Sequence, residues 1–166
     1  MNMKTLYLIR HAKSDRNDPS LSDYDRPLNK RGFNDAPLMG SILQKSGIHP
    51  DLILSSPALR AKTTAIAFAQ ALSYPTESIR YDHALYASDV ETILSIIRDV
   101  PVSINTLFLF GHNPEITECA NIITDGDIDD IPTCGVVAMR LKNDSWESIG
   151  ANSAEIIGFD FPKKHR

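Results

Sequence analysis

The stretch Leu8-Ile9-Arg10-His11-Ala12-Lys13-Ser14 decides how the rest of the chain is interpreted. It continues from an apolar run over Met3 to Ile9, which is typical of a strand buried on both faces. Arg10 and His11 therefore fall at the carboxyl end of that strand. Ligands bind at this edge of an open α/β sheet, because the following helices point their amide-rich N-termini towards it. An arginine beside a histidine there predicts a site that holds an anion and attacks it.

Length, charge and cysteine content limit the classes of protein to which such a site can belong. The 166 residues predict a single domain over 1–166 with a sizeable core. The net charge of −4 argues against coating nucleic acid or an anionic membrane, so positive charge must be concentrated locally. Cys119 and Cys134 are too few for a disulfide framework or a Cys-rich zinc site. The sequence shows no signal peptide or membrane-spanning run, so we expect a soluble cytoplasmic protein, with a monomer favoured.

The segment that follows His11 predicts a long loop and then a helix. Residues 12–28 are polar and lack periodicity, and their position favours a wall over the site. Asn29 is expected to cap a helix that runs to about Lys45 and ends at Gly47. The apolar side of this helix is predicted to comprise Phe33, Leu38, Ile42 and Leu43.

A second junction between a strand and a helix carries another arginine. The strand Asp51 to Leu54 precedes Ser55-Ser56-Pro57, which predicts a helix to about Leu72 with Ser56 as N-cap and Pro57 in the first position. Arg60 would lie in the first turn, where the helix dipole disfavours a cation. A bound anion would remove that conflict, although the side chain could also simply extend into water.

A third junction repeats the arrangement with a histidine. The strand Asn105 to Phe110 ends at Gly111-His112-Asn113-Pro114, where Asn113 is expected to cap a helix that begins at Pro114. The carboxyl ends of parallel strands meet at one edge, so His112 should lie near His11. Two histidines and two arginines there, with helix N-termini behind them, predict a site for phosphate.

The remaining segments complete the predicted fold, a three-layer α/β/α sandwich with a mostly parallel central sheet. The acidic turn Asp125 to Asp130 is interpreted as solvated surface, and the tail Lys163 to Arg166 as frayed. The other predictions are a weak strand over Ser78 to Tyr81, a helix capped by Ser88 or Asp89 and ending at Arg98, and closing strands in hairpins over Cys134 to Met139, Ser145 to Ile149 and Glu155 to Phe161.

Several separated motifs, in order, resemble the histidine phosphatase superfamily, also named phosphoglycerate mutase-like. They are Leu8-Ile9-Arg10-His11, Ser55-Ser56-Pro57 with Arg60, and Gly111-His112. The SixA-type phosphohistidine phosphatases are resembled more closely, through Ala12-Lys13-Ser14, Asp25-Arg26-Pro27-Leu28 with Arg31-Gly32, and Gly111-His112-Asn113-Pro114. The resemblance covers roughly Lys4 to Val137 and implies the phosphoglycerate mutase-like fold.

The resemblance also implies a role for each candidate residue. His11 would be the nucleophile, and Arg10, Arg60 and His112 would surround the phosphoryl oxygens. Arg26 and Asn113 would contribute further substrate contacts. No cofactor is implied, and a metal site built from the two histidines and an aspartate is disfavoured because no metal-binding spacing supports it. The group that orients the His11 ring is left open.

The substrate prediction depends on the leaving group. Superfamily members that cleave esters present a carboxylic acid in the region 82–89, where Tyr86 is the best-matched position here and Asp82 or Asp89 could substitute. General acid help is worth ~10²–10⁴ in rate. Its absence favours phosphohistidine on a protein, a substrate of signal transduction. The alternatives are a general small-molecule phosphomonoesterase and a non-catalytic phosphate-binding module, and a mutase is disfavoured because no insertion encloses the site.

Overall fold

Six strands form one sheet in a computed structural model that describes residues 2–166. The strands are β1 (Thr5–Arg10), β2 (Leu52–Ser55), β3 (Arg80–Tyr81), β4 (Thr106–Gly111), β5 (Val136–Leu141) and β6 (Ala154–Asp160). Their spatial order is β3-β2-β4-β1-β5-β6. The first four in this order are parallel, and β5 runs antiparallel to both β1 and β6. The predicted mostly parallel sheet and the closing hairpin are therefore confirmed.

Four helices cover the two faces of this sheet. They are α1 (Lys30–Lys45), α2 (Leu59–Ala71), α3 (Val90–Arg98) and α4 (Glu115–Thr124). The alternation of side chains along β1 sends Leu6 and Leu8 to the face that packs against α3 and α4. Tyr7 and Ile9 point to the other face, against α1 and α2. The three-layer α/β/α sandwich is confirmed, and β1 is buried on both faces as its apolar run predicts.

Helix α1 begins and ends where the sequence predicts, but its buried face differs. Asn29 caps it by accepting a hydrogen bond from the Gly32 amide, and Gly47 follows it with a φ of +76°. The prediction for Phe33 was wrong, since this side chain is 55% exposed. A close approach to α2 sets the rotation of α1, because a Cβ on Gly40 would lie 2.9 Å from the Cβ of Ala71. The small residues therefore face inwards and Phe33 faces water.

Both predicted helix caps at the sheet edge were wrong by one or two residues. Helix α2 begins at Leu59 rather than Pro57, and its N-cap is Ala58 rather than Ser56. Helix α4 begins at Glu115 after Pro114, so Asn113 lies outside it. The side chains of Ser56 and Asn113 instead bond to residues around the edge, as described below.

The C-terminal third contains two further differences. The predicted strand Ser145 to Ile149 was wrong, because Trp146–Ser148 is a 3₁₀ turn whose buried indole donates to the carbonyl of Ile104 at 2.7 Å. The predicted frayed tail was also wrong. Pro162–His165 is a 3₁₀ turn, and Arg166 reaches the buried carboxylate of Asp35 at 2.7 Å. Among residues 2–166, none of the helices has the length and apolar character that crossing a membrane requires.

Candidate active site

Strand register brings the candidate residues to one edge of the sheet. Arg10, the last residue of β1, pairs with Gly111 on β4, so His11 and His112 leave the sheet side by side. Their ring centroids are 5.1 Å apart. On the other side of β4, Ser55 pairs with Phe110, and the chain then enters α2 with Arg60 in its first turn. Three junctions therefore meet in one place.

A pocket of about 240 Å³ lies where they meet. This volume is below the ~300–1,000 Å³ of typical small-molecule pockets, which suits a group as compact as phosphate. Its lining contains five cationic side chains and all six residues singled out from the sequence. The lining residues are Arg10, His11, Lys13, Ser14, Arg16, Asp23, Arg26, Arg60, His112, Asn113 and Thr133.

His11 is held at the floor of the pocket, where it is 8% exposed. Its Nδ1 lies 2.7 Å from the backbone carbonyl oxygen of Ala12. Because a carbonyl only accepts, Nδ1 must carry the ring proton, and Nε2 keeps its lone pair. That Nε2 lies 3.3 Å from Nε of Arg60. The acceptor that the sequence could not identify is thus a backbone carbonyl of the next residue.

Burial and neighbouring cations keep both histidines uncharged. Burial, aided by His112, Arg60 and Arg10, lowers the pKa of His11 to about 3 against the opposing bond to Ala12. Burial, with the charge of Arg60, lowers the pKa of His112 to about 4. Two neutral imidazoles therefore face a set of permanent cations at neutral pH. This combination gives a nucleophilic nitrogen in a field that attracts an anion.

Ser56, which local sequence signals predict as a helix cap, orients His112. The Oγ atom of Ser56 lies 2.8 Å from Nε2 of His112 and accepts a hydrogen bond from the amide of Ala58 at 3.2 Å. Ser56 is fully buried. The Ser56-Pro57 pair is typical of a helix start and therefore predicts a cap. The pairing of β2 with β4 places the Ser56 hydroxyl beside His112.

The half-exposed carboxylate of Asp23 ties together two buried arginines of the pocket. Arg60 donates from Nη2 to Oδ2 at 3.0 Å and from Nη1 to the Asp23 backbone carbonyl at 2.6 Å. Arg26 donates to Oδ1 from Nη2 at 2.9 Å and from Nε at 3.2 Å. An anion next to Arg60 was expected from the helix dipole, and a carboxylate of the protein itself lies there. No local sequence pattern distinguishes Asp23 from the other acidic residues of this loop.

A second acidic residue orients the other side of the pocket. Asp130 accepts from the Nδ2 amide of Asn113 at 2.6 Å and pairs with Arg10 at 3.5 Å. Asp130 is exposed, as expected for the acidic turn 125–130, but the prediction of plain surface missed its contacts with these two site residues. Asn113 also donates to the carbonyl of Ile131 at 3.0 Å and accepts from Thr117 at 2.8 Å. Its amide is thus engaged within the protein, which favours a supporting role over direct contact with a substrate.

Of the three residues considered for the leaving group, only Tyr86 faces this site. Asp82 accepts from the amide of Ala84 at 2.9 Å, and Asp89 caps α3 through the amide of Thr92 at 2.8 Å. Each carboxylate thus bonds to local backbone through one oxygen, and neither residue lines the pocket. Tyr86 donates its hydroxyl to Oδ2 of Asp23 at 2.7 Å. Its ring also meets that of His112 edge to face, with centroids 5.7 Å apart.

The grouping of possible metal ligands is a further feature of the structure. Within residues 2–166, no three or more His, Cys, Asp or Glu side chains are grouped as a metal ion would require. The positive charge that faces the pocket comes from the guanidinium groups of four arginines and the ammonium group of Lys13. A bound anion would therefore be held by hydrogen bonds from arginine, which match the tetrahedral oxygens of phosphate well.

Comparison with known proteins gives consistent likenesses. The sequence profile of the histidine phosphatase superfamily (branch 1) matches residues 6–86. An uncharacterised chloroplastic protein of Arabidopsis thaliana is 32% identical, over 90% of this chain and 72% of its own. A structure from Agrobacterium tumefaciens, assigned as the phosphohistidine phosphatase SixA, is 28% identical with a TM-score of 0.83, covering 96% and 98% of the two chains. The protein histidine phosphatase SixA complexed with tungstate shares the fold, with a TM-score of 0.84, 19% identity and coverage of 98% and 99%.

Proposed function

Because the chain belongs to the histidine phosphatase superfamily and is a phosphatase, we propose that it hydrolyses phosphohistidine in a protein and that His11 carries the phosphoryl group in between. The observation that carries this proposal is the fixed tautomer of His11. Its Nδ1 donates to the carbonyl of Ala12, so the lone pair of Nε2 is presented beside Arg60. A neutral and oriented nitrogen is what attack on phosphorus needs.

The first half-reaction transfers the phosphoryl group to the enzyme. The lone pair of His11 Nε2 forms a bond to phosphorus, and the bond from phosphorus to the substrate nitrogen breaks with its electron pair staying on that nitrogen. Arg10, Arg60 and His112 lie around the pocket and would stabilise charge on the phosphoryl oxygens during transfer. Arg26, which also lines the pocket, would add a contact to the same oxygens.

The second half-reaction releases phosphate. Water attacks phosphorus, the N–P bond to His11 breaks with its electron pair returning to Nε2, and the proton lost by the water passes to solvent. The pKa of His11, lowered to about 3, keeps the regenerated imidazole neutral and ready for another cycle.

The pocket supports a nitrogen leaving group and a large substrate. Neither Asp82 nor Asp89 is among the residues that line the pocket, and each accepts a hydrogen bond from a backbone amide of its own turn, so neither is placed to supply the acid that an alkoxide requires. The hydrogen bond from Tyr86 to Asp23 raises the pKa of this phenol, which makes it a poor proton donor. A volume of about 240 Å³ admits the phosphoryl group and leaves the rest of the substrate outside. Both features fit a phosphohistidine on a protein surface.

The proposal includes the partner of the protein, its cellular compartment and its oligomeric state. Its partner is a phosphorylated protein, as the name of the Agrobacterium relative suggests, and nucleic acid and membrane are not part of it. We place the protein in the cytoplasm as a monomer. The buried thiols of Cys119 and Cys134, both unpaired, would stay reduced there.

A turnover assay with matched substrates tests the proposal. Wild-type protein and the His11→Ala variant are given a phosphohistidine peptide, an aryl phosphate and an alkyl phosphate, and phosphate release is measured. We expect the wild type to turn over the phosphohistidine peptide fastest, and the variant to lose activity on all substrates by ~10³-fold or more. Efficient cleavage of the alkyl ester would favour a general phosphomonoesterase. Phosphate binding without turnover would identify a non-catalytic module.

A further inference from the structure

We propose that Asp23 is a substrate-contacting specificity residue, which accepts a hydrogen bond from the free ring N–H of the leaving phosphohistidine. This inference deepens the proposed function and rests on it. Asp23 lies in the loop between β1 and α1, within a short 3₁₀ turn, Asp23–Asp25. Its side chain lines the pocket and is 55% exposed, whereas His11 lies at the floor. In-line attack by His11 places the leaving group on the side away from the floor, where Asp23 is found.

The carboxylate of Asp23 is saturated with donors when no substrate is present. Arg26 supplies two hydrogen bonds to Oδ1, and Arg60 and Tyr86 supply one each to Oδ2. An ionised carboxylate has about four acceptor positions, so none is left over. Burial alone would raise the pKa of Asp23, but the bonds from Tyr86, Arg26 and Arg60 hold that pKa well below its usual range. The group is therefore an ionised acceptor rather than a proton donor.

Arrival of a phosphoryl group changes this balance of donors. The guanidinium hydrogens of Arg26 and Arg60 that now point at Asp23 are also donors within reach of the pocket, where phosphate oxygens would compete for them. Each hydrogen bond that moves to phosphate leaves an acceptor position on Asp23 empty. A carboxylate that has lost these donors beside a phosphate dianion then needs a new hydrogen-bond donor, because like charges at short range repel.

The leaving imidazole of phosphohistidine can supply that proton. One ring nitrogen is bonded to phosphorus, and the other carries an N–H when the ring is protonated. With that proton in place the P–N bond breaks to give a neutral imidazole, so no proton is transferred in the step and no general acid is consumed. An alkyl or aryl phosphate ester has no N–H at this place. An ester would therefore leave the vacated acceptor positions of Asp23 without a hydrogen-bond donor.

Aromatic rings next to Asp23 form a wall that suits a flat leaving group. Tyr24 meets Tyr86 edge to face, with ring centroids 5.2 Å apart, and stacks parallel to His83 at 5.8 Å. Tyr86 in turn contacts His112. Aromatic faces and edges pack favourably against another ring such as imidazole. A carboxylate with aromatic rings around it therefore matches the ring and the N–H of the substrate together.

A ratio of two substrates tests this proposal. The value of kcat/KM is measured for a phosphohistidine peptide and for an aryl phosphate, in the wild type, in Asp23→Asn and in Asp25→Asn. Asp25 makes the matched control because it lies in the same turn and is exposed, and because within residues 2–166 its side chain accepts a hydrogen bond from Ser22 alone. We expect Asp23→Asn to lower the ratio of peptide to aryl phosphate by ~10-fold or more, as for the loss of one charge-assisted hydrogen bond. Asp25→Asn should leave both values unchanged.

Other outcomes separate this proposal from the proposed function. An equal loss on both substrates in Asp23→Asn would overturn it, because Asp23 would then act only by holding Arg26 and Arg60. Equal or higher activity on both would overturn it as well and would identify Asp23 as a competitor of phosphate. If the wild type does not turn over the phosphohistidine peptide, the proposed function itself fails. Retained aryl phosphate turnover in Asp23→Asn shows that this variant is folded.

Discussion

The floor and the rim of the pocket are built on opposite principles. At the floor, His11 and His112 are tied down by a backbone carbonyl and a buried serine, and burial keeps both rings neutral. At the rim, Asp23, Arg26 and Arg60 are charged and hold one another through hydrogen bonds that a substrate can exchange. The protein fixes the orientation of the floor histidines, whereas the rim residues form hydrogen bonds with one another that can be exchanged for bonds to a substrate. We therefore assign phosphoryl transfer to the floor residues and substrate specificity to the rim residues.

This division predicts a graded series of effects, of which the largest follows from Arg60. Arg60 belongs to both regions, since Nε faces His11 and its terminal nitrogens face Asp23. The substitution Arg60→Ala removes a preorganised donor to the transferred phosphoryl group. Such a donor is worth ~10²–10³ in rate. We expect kcat to fall by this factor on phosphohistidine and aryl phosphate alike. Circular dichroism of the variant should match the wild type, and an unchanged kcat would contradict the assignment.

A smaller effect is expected from Arg26, which belongs to the rim alone. Its side chain bonds to Asp23 and to Oγ of Ser14 at 2.7 Å, and among residues 2–166 it forms no hydrogen bond with either histidine. The substitution Arg26→Ala should therefore cost ~10-fold, the equivalent of one charge-assisted hydrogen bond, and should act mainly on KM. Steady-state kinetics on the phosphohistidine peptide measures the split. A loss in kcat as large as that of Arg60→Ala would erase the distinction between floor and rim.

Ser56 tests whether the second histidine needs its fixed orientation. The substitution Ser56→Ala removes the hydroxyl that lies 2.8 Å from His112 Nε2 and leaves the ring free to turn. Loss of one neutral hydrogen bond predicts a fall in kcat of about 3- to 10-fold. The conservative variant Ser56→Thr keeps a hydroxyl and should recover part of the activity if it folds. Equal losses in both variants would indicate a packing effect in place of orientation.

The neutral floor also predicts how stability depends on pH. The pKa of His112 is about 4 in the folded chain, against 6.5 for an ordinary histidine. Below pH ~6.5 the unfolded chain therefore binds a proton that the folded chain does not, and the free energy of unfolding falls as the pH drops towards 4. The variant His112→Gln should lose less stability over this range in urea titrations. His49→Gln, at an exposed site away from the pocket, should follow the wild type.

The same contrast explains which parts could be predicted from the sequence. The floor could be, because a buried strand followed by Arg10-His11, and another followed by His112, carry their chemistry within a few residues of a clear pattern. The carboxylates that pair with the arginines could not, because Asp23 meets Arg60 across 37 positions and Asp130 meets Arg10 across 120. Such pairings arise from the path of loops. Ser56 and Asn113 were misassigned for a related reason, since local capping signals competed with contacts to the site.

Trapping the intermediate tests the central claim most directly. The wild type is mixed with a phosphohistidine peptide, quenched at high pH where phosphohistidine survives, and examined by mass spectrometry and by phosphorus and nitrogen NMR. We predict one phosphoryl group on His11, attached at Nε2 because Nδ1 is held by the carbonyl of Ala12. Attachment at Nδ1, labelling of another residue, or release of phosphate with no labelled His11 at any time point would contradict the account.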